Sequence, residues 1–329
     1  MRACLLAALA GSLVSALPAQ QAVAQVSAQT YPSKTITFIV PAPPGGVTDV
    51  LARTLAQRFT AAWGQQAVVE NRPGGNNQVA AELVTRAPPD GHTLLIGPEV
   101  TFIANPALYG RLNYDPINGF TAISGLVTIN HALIAHPSLP AQNVRELIAL
   151  AKQKPGELNY GTYGVGSTAH LNMELFEVLT GTKLMAVHYR GAAPAMTDVI
   201  GGHIQLMYVS VGTGLPQVQD GRVKLLAIGS KKRMEALPEV PTVAESGLPG
   251  YEAVSWFGLF GPPGMAAGSV AKINAEVRSL FADPEIKKSV LDRYYFESLA
   301  GTPQQLSDRI KADEPKWRKI IQDAKVKPQ

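Results

Sequence analysis

Hydrophobic positions recur along the chain with two periods, one typical of buried strands and one typical of amphipathic helices. Residues 37–40 have the strand pattern, and residues 48–63 follow with a helical pattern in which Leu51, Leu55 and Phe59 recur every four residues. Further strands are predicted at residues 67–69, 93–96, 184–188, 204–208 and 225–228, and further helices at residues 78–86, 144–153 and 167–179. This alternation predicts parallel sheets with helices on both faces.

Two extended segments edged by Pro and Gly, residues 134–137 and 255–258, interrupt the alternation and are predicted to cross between two lobes. The tail, residues 268–325, is helical and more charged, and we expect it to pack on the first lobe. Ligands of open parallel sheets bind beyond the carboxyl ends of the strands. The pattern therefore predicts a cleft where the two lobes face each other.

The N-terminus has the features of a secretory signal peptide. A positive region at Met1 and Arg2 precedes an apolar stretch, residues 5–17, and the small residues Ala22 and Ala24 then form a cleavage pattern. We predict a signal peptide at residues 1–24, with cleavage possible up to residue 28. The one cysteine, Cys4, lies inside it, so the mature chain is expected to be a soluble, cysteine-free protein of a bacterial periplasm.

Composition and charge argue against long disorder and against nucleic-acid binding. The 329 residues are 46% hydrophobic and 16% charged, which favours two folded domains over long disorder. The net charge is +4, and the densest basic cluster, residues 231–233, is not interleaved with aromatic residues. We therefore expect no nucleic-acid partner and interpret that cluster as a solvated turn.

A glycine turn, residues 41–46, joins the first predicted strand to the first predicted helix. Gly45 and Gly46 allow close approach of the backbone to a ligand, and Thr48 or Asp49 is expected to cap the helix. No lysine follows the glycines, as it would in a P-loop. Main-chain N–H groups at the helix start can hold a carboxylate without a cation; a plain strand-to-helix turn is the alternative.

A second glycine-rich segment, residues 161–170, has Gly164, Gly166 and Ala169 in the relaxed dinucleotide-binding spacing. That match is weak because Lys183 stands near the position where an acidic residue should bind the ribose. Ser167 and Thr168 lie at the mouth of the next helix, where hydroxyl and N–H groups together suit a carboxylate. A simple N-cap by either residue is the alternative.

Two catalytic interpretations have little support. His170 and Glu174 are four residues apart on one helix face, but a metal site needs a third ligand that the other histidines do not supply. Ser167 and His170 are too close on one helix for a nucleophile and base, and the chain has no nucleophile-elbow motif. We therefore expect an i,i+4 polar pair, no metal, no cofactor and no enzyme activity.

Seven motifs, in order, resemble the receptors of tripartite tricarboxylate transporters, often called Bug receptors. They are PAPPGGVTD (residues 41–49), ENRPG (70–74), PDGHTLL (89–95), NPALY (105–109), LNYG (158–161), LPEVPT (237–242) and GLPGYE (247–252). The resemblance runs from about Tyr31 to the C-terminus. It implies a type II-like, two-lobed periplasmic-binding-protein fold, each lobe a mostly parallel sheet flanked by helices. The implied lobes are residues 30–130 with 251–329, and residues 131–250.

The resemblance also implies a monomeric solute-binding protein that delivers a small organic acid to membrane permease subunits. The ligand-binding residues that it implies here are Ala42, Gly45, Gly46, Thr48, Asp49, Glu99, Thr101, His131, Thr162, Tyr163, Gly166, Ser167, Thr168, Arg190 and Val209. An exported enzyme that uses the glycine segments for a cofactor, and a sensor that presents its ligand to a membrane kinase, stay open as alternatives.

The chain departs from the family pattern at positions that bear on the ligand. Val209 and Ser210 replace an Asp–Asn pair, Pro98 and Glu99 replace small or hydroxyl residues, and Tyr163 and His131 are bulky for their places. An uncharged Val209 cannot meet an ammonium group. The expectation is therefore a dicarboxylate with an apolar or aromatic middle rather than an amino acid, with Glu99 as the one nearby carboxylate that could substitute.

Overall fold

The computed structural model describes residues 31–327, so the predicted signal peptide lies outside the described residues. The strands are β1 (Ile36–Val40), β2 (Ala67–Asn71), β3 (Thr93–Pro98), β4 (Thr121–Ala135), β5 (Asn159–Thr162), β6 (Met185–His188), β7 (Leu206–Ser210), β8 (Lys224–Ile228), β9 (Val254–Gly261) and β10 (Phe296–Ser298). The helices are α1 (Val47–Trp63), α2 (Gln78–Thr85), α3 (Asn105–Leu108), α4 (Val144–Gln153), α5 (Thr168–Thr180), α6 (Ala192–Ile200), α7 (Val211–Gln219), α8 (Ala267–Ala282), α9 (Pro284–Ile286) and α10 (Pro303–Asp323). Each strand and helix predicted from the hydrophobic pattern is confirmed, with bounds that differ by at most two residues.

The strands follow the order β2-β1-β3-β9-β4-β7-β5-β6, while β8 and β10 pair with β4. Strands β2, β1 and β3 are parallel and form what we call the first group. Strands β6, β5 and β7 are parallel and form the second group. In each group the first strand in the chain lies in the middle, so both are doubly wound units with helices between their strands.

The antiparallel strands β9 and β4 join the two groups. Residues 121–130 of β4 pair with β9, and residues 131–135 pair with β7, so a single strand passes from one group to the other. Both extended segments that the sequence marks as crossings fall at least partly in these strands. The lobe boundaries at residues 130 and 250 stay a prediction, because β4 belongs to both groups.

Helix α1 shows how the pattern produces the core. Leu51, Leu55 and Phe59 are fully buried, and the Phe59 ring lies 5.3 Å from the Phe38 ring of β1 in a T-shaped arrangement. Such edge-to-face pairs are favourable beyond the area that they bury. The helix ends at Gly64, whose φ of 68° needs a residue without Cβ.

The C-terminal helix α10 begins with a capping box formed by Thr302 and Gln305. It packs against β4 and against α5, which follows the central strand of the second group. The tail was expected to pack on the first lobe, and the structure shows that α10 also contacts α5, beside the second group. Within residues 31–327, no helix is long and apolar enough to cross a bilayer.

Gly125 in β4 lies beside the residue that follows β10. A Cβ on Gly125 would lie 2.4 Å from the main-chain oxygen of Leu299, so Gly125→Ala must displace the backbone next to β10. We expect it to lower the free energy of unfolding by about 1–3 kcal/mol in urea denaturation. The control is Gly110→Ala, whose Cβ would meet nothing within 4 Å and should change stability by less than about 1 kcal/mol. Equal stability of the two variants would contradict this packing.

Candidate functional site

The carboxyl ends of the two parallel groups meet along a line that we call the seam. It is defined by Asn76, Glu99 and Leu108 on the first group's side and by Gly166 and Thr168 on the second group's side. The Thr168 hydroxyl donates a hydrogen bond of 2.9 Å to Oε1 of Glu99. A Cβ on Gly166 would lie 2.3 Å from Cδ1 of Leu108, so the Leu108 side chain approaches the Gly166 backbone as closely as glycine permits.

The first glycine turn ends at Gly46, which is the N-cap of α1 and makes no side-chain cap. The expectation that Thr48 or Asp49 is the cap residue is therefore wrong. Asp49 lies in the first turn, and its carboxylate accepts the Gly45 N–H at 3.0 Å. Gly45 has a φ of 90°, so its role is to bend the chain, and its N–H is already bound inside the protein.

Asp49 is 4% exposed and is held by three side-chain hydrogen bonds. Arg53 donates through Nε at 2.8 Å and through Nη2 at 3.1 Å, and the Asn71 amide donates at 3.1 Å. The bonds with Arg53 lower the pKa of Asp49 to about 2, against the opposite effect of burial. The same Asn71 amide donates to the Ala42 carbonyl at 2.9 Å and fixes the start of the turn.

The start of α1 keeps main-chain donors for an anion. The N–H groups of a helix's first turn, here including those of Val47 and Thr48, have no acceptor inside the helix and carry partial positive charge. Gly46 precedes them with open space around it, since its Cβ would approach nothing closer than the Pro43 oxygen at 4.0 Å. The start of α1 is therefore open on the side of Gly46.

The second glycine turn is built in the same way. The Gly164 N–H donates to the Thr162 hydroxyl at 3.2 Å, and the Gly166 N–H donates to Nδ1 of His170 at 3.0 Å. Both glycines have positive φ, at 125° and 73°. Sequence reasoning expected such glycine N–H groups to bind the ligand, but those of Gly164 and Gly166 are bound by buried side chains.

Helix α5 begins directly after this turn, and its N-cap is Ser167, whose hydroxyl accepts the His170 N–H. The alternative of an N-cap by Ser167 or Thr168 is confirmed for Ser167. Thr168 is the first helical residue, and its hydroxyl is used by Glu99. Helix α5 therefore begins at the seam, and like α1 it follows the central strand of its group.

Glu99 is 4% exposed and uses both carboxyl oxygens, one for Thr168 and one for the Trp256 N–H at 3.3 Å. Burial raises its pKa to about 7, and the hydrogen bonds only partly oppose that rise. Glu99 therefore links β3 to both α5 and the crossing strand β9. It is not a free anion that could meet a ligand's ammonium group.

His131 and Thr101 bring further buried polar atoms close to these strands. Nε2 of His131 lies 2.8 Å from the Ser255 hydroxyl, so the pair bridges β4 and β9. Burial lowers the pKa of His131 to about 4, which keeps the ring neutral. Within the described part of the chain, Nδ1 of His131 and the Thr101 hydroxyl are buried and lack hydrogen-bond partners.

The three remaining candidates lie in different surroundings. Tyr163 is half-buried and donates its hydroxyl to the Tyr208 carbonyl at 2.9 Å, while Arg190 is exposed. Val209 is 1% exposed, and its Cγ1 lies 2.8 Å from where a Cβ on Gly214 of α7 would be. Its side chain therefore belongs to the core beneath α7, and the inference from Val209 to the ligand's charge is wrong.

The His170–Glu174 pair is confirmed as an i,i+4 polar pair, with Nε2 of His170 3.1 Å from Oε1 of Glu174. Among residues 31–327, no three His, Cys, Asp or Glu side chains are grouped to hold a metal ion. Sequence reasoning missed Asn71 and Arg53, which hold the first turn. Asn71 ends β2 beside the end of β1, so parallel pairing of those two strands was the signal for it.

Residues 51–326 match the family model described as the tripartite tricarboxylate transporter family receptor. The chain is 30% identical over 308 residues to protein BugT of Bordetella pertussis, covering 92% of this chain and 93% of that protein. The family match includes the second glycine turn and both crossing strands, and it begins after the first glycine turn.

Two solved structures are similar to this one over nearly their whole length. R. palustris Rpa4515 with adipate is 34% identical with a TM-score of 0.84, covering 91% of this chain and 100% of that chain. MatC from Rhodopseudomonas palustris with bound malate is 29% identical with a TM-score of 0.79, covering 88% of this chain and 100% of that chain. The expected two-lobed α/β periplasmic-binding-protein fold is thereby confirmed.

Glu99 should make stability depend on pH. Because its pKa rises from 4.5 to about 7 on folding, the stabilisation from its neutral form is complete below about 4.5 and is lost as the pH rises through about 7. His131 acts oppositely in the same range, so the variant Glu99→Gln is compared with wild type at each pH. In urea denaturation, the variant's unfolding free energy relative to wild type should rise by about 2 kcal/mol between pH 5 and pH 8.

The control for this measurement is Glu235→Gln, the same chemical change at an exposed side chain. Its stability relative to wild type should stay flat over the same pH range. A flat difference for Glu99→Gln as well would contradict the assigned environment of Glu99.

Proposed function

Since the chain belongs to the tripartite tricarboxylate transporter family of receptors, we propose that it captures a small dicarboxylate in the periplasm and delivers it to a membrane permease. The observation that carries this proposal is the placement of two helix N-termini. Helices α1 and α5 each follow the central strand of a parallel group. Helix α5 begins at the seam, and α1 follows β1, which pairs in parallel with β3, the strand that precedes Glu99. Helix N-termini favour anions through bare N–H groups and partial positive charge.

Main-chain donors are sufficient for such a ligand. A micromolar affinity corresponds to about 8 kcal/mol. About four or five hydrogen bonds to charged oxygens, at about 1.5–3 kcal/mol each, total about 6–15 kcal/mol, a range that includes this affinity before the ordering costs. The ligand therefore needs no lysine in either turn, in agreement with the absence of a P-loop lysine from the sequence.

Two features support a dicarboxylate over an amino acid. Helix starts on opposite sides of the seam offer one anion site each, and the similar R. palustris proteins were solved with adipate and with malate. An ammonium group buried at the seam would need an anion. Asp49 is neutralised by Arg53, and Glu99 is bound to Thr168 and Trp256.

The alternatives fit less well. Members of this family are receptors rather than enzymes, so the expectation that the chain is not an enzyme is confirmed. The predicted signal peptide supports a periplasmic location, as do similar proteins described as periplasmic. The family description supports delivery to a permease over presentation to a membrane kinase, and direct binding experiments distinguish the two partners.

Dicarboxylates should stabilise the protein against heat. A ligand at 100 times its dissociation constant adds about 2.7 kcal/mol to the unfolding free energy, which raises the midpoint by several degrees. Thermal melts against adipate, malate, aromatic dicarboxylates, the matching amino acids and nicotinamide nucleotides test this. We expect at least one dicarboxylate to raise the midpoint; stabilisation by nucleotides alone would contradict the receptor function.

The start of α1 should not tolerate a side chain at Gly46. Its φ of −83° and ψ of 176° suit valine, and its Cβ would meet open space, so Gly46→Val should fold normally. The isopropyl group would cover the approach to the first-turn N–H groups. By calorimetric titration we expect affinity for the stabilising dicarboxylate to fall at least about tenfold, or about 1.4 kcal/mol.

The graded control is Gly46→Ala, which adds one methyl group in the same open space and should lose less affinity. The melting midpoints of both variants without ligand should match wild type within a few degrees. Wild-type affinity in Gly46→Val would indicate that the residues 41–46 form only a structural turn.

A further inference from the structure

His170 is a buried side chain whose two ring nitrogens have different, fixed partners. Its side chain lies in the first turn of α5 and is 5% exposed. Nδ1 lies 3.0 Å from the Gly166 nitrogen. A main-chain N–H can only donate, so Nδ1 must be the unprotonated acceptor. Nε2 therefore carries the proton and donates it to Oε1 of Glu174 at 3.1 Å.

The bonds beyond His170 hold it in that tautomer. The Tyr160 hydroxyl donates to the same Oε1 of Glu174 at 3.0 Å. Tyr160 is fully buried in β5, and its pKa is raised by burial and by the neighbouring carboxylate. A chain of hydrogen bonds thus runs from Tyr160 in the core, through Glu174 and His170, to the Gly166 N–H at the seam.

Gly166 is the point where this chain of bonds affects the candidate site. It precedes Ser167, the N-cap of α5, so its position sets where the first-turn N–H groups of that helix point. It also approaches Leu108, on the first group's side of the seam, so closely that no Cβ fits between them. A shift of Gly166 would therefore change both the anion-binding helix start and the contact across the seam.

We propose that His170 is a positioning residue that sets the ligand-binding conformation of residues 164–167 by accepting the Gly166 N–H, with Glu174 and Tyr160 fixing its tautomer. This role rests on the proposed carboxylate-binding function of the α5 N-terminus. His170 touches no ligand in this assignment; it acts through Gly166. A side chain present only for packing would need its volume but not an acceptor at the Nδ1 position.

Two substitutions separate the effect of a hydrogen-bond acceptor at the Nδ1 position from the effect of side-chain volume. In His170→Asn, the amide oxygen can take the place of Nδ1 and accept the Gly166 N–H, but the donor to Glu174 is lost. In His170→Gln, the longer amide reaches Glu174 and fills more of the cavity, but leaves the Gly166 N–H unpaired. Calorimetric titration with the dicarboxylate that stabilises wild type should give His170→Asn an affinity within about threefold of wild type, and His170→Gln at least a tenfold loss.

The order of the two variants' affinities decides between a positioning role and a packing role for His170, because packing alone would favour the larger glutamine. Equal affinities, or a better affinity for His170→Gln, would overturn the proposal. The matched controls are His203→Asn and His203→Gln, at an exposed histidine, and both should bind as wild type does.

A measurement without ligand keeps this proposal distinct from the proposed function. Hydrogen exchange of the Gly166 amide should be slow in wild type and in His170→Asn and at least tenfold faster in His170→Gln. In wild type, nitrogen NMR should show His170 with its proton on Nε2. Equal exchange of the Gly166 amide in all three proteins overturns the positioning role. A proton on Nδ1 of His170 in wild type overturns it as well, and that measurement does not depend on the folding of a variant. If these ligand-free results hold while wild type binds no dicarboxylate, the proposed function is the part that fails.

Discussion

The antiparallel pairing of β4 with β9 is the interaction on which the arrangement of the candidate site depends. Strand β9 pairs with β3 of the first group, and β4 pairs with β9 and then with β7 of the second group, so the two groups are joined by extended backbone rather than by a flexible linker. Because hydrogen-bonded strands keep a fixed register, Glu99 after β3 and Thr168 after β5 are brought together at the seam. Glu99 and His131 reinforce this arrangement, since each connects a crossing strand to a neighbouring strand.

The two turns use their glycines for shape and their side chains for hydrogen bonding. Gly45 and Gly166 adopt positive φ, and their N–H groups are bound by Asp49 and His170. In the proposed function, this internal pairing leaves the helix starts to bind the anion, because the first N–H groups of a helix lack an acceptor inside it. In the same proposal Asp49 is compatible with an anionic ligand, since Arg53 pairs with this carboxylate, whose pKa is lowered to about 2.

The sequence was sufficient to predict the features that depend on neighbouring positions along the chain. The strand and helix periods, the N-cap Ser167 and the His170–Glu174 pair all follow from local spacing. Position in three dimensions could not be predicted in the same way. Val209 was assigned to the cleft by resemblance, yet alternation along β7 turns it toward α7, while Tyr208 beside it faces the opposite cluster. The burial of Glu99 depends on Thr168 and Trp256, which lie far from it in the sequence.

The central claim is that the starts of α1 and α5 hold the two ends of one dicarboxylate across the seam. A crystal structure of the protein with the dicarboxylate that stabilises it most tests this claim directly. The account predicts one carboxylate within hydrogen-bond distance of the Val47 or Thr48 N–H and the other at the first turn of α5, with the Asp49–Gly45 and His170–Gly166 bonds intact. A ligand bound elsewhere, or one that displaces Asp49 or His170 to reach the glycine N–H groups, would contradict it.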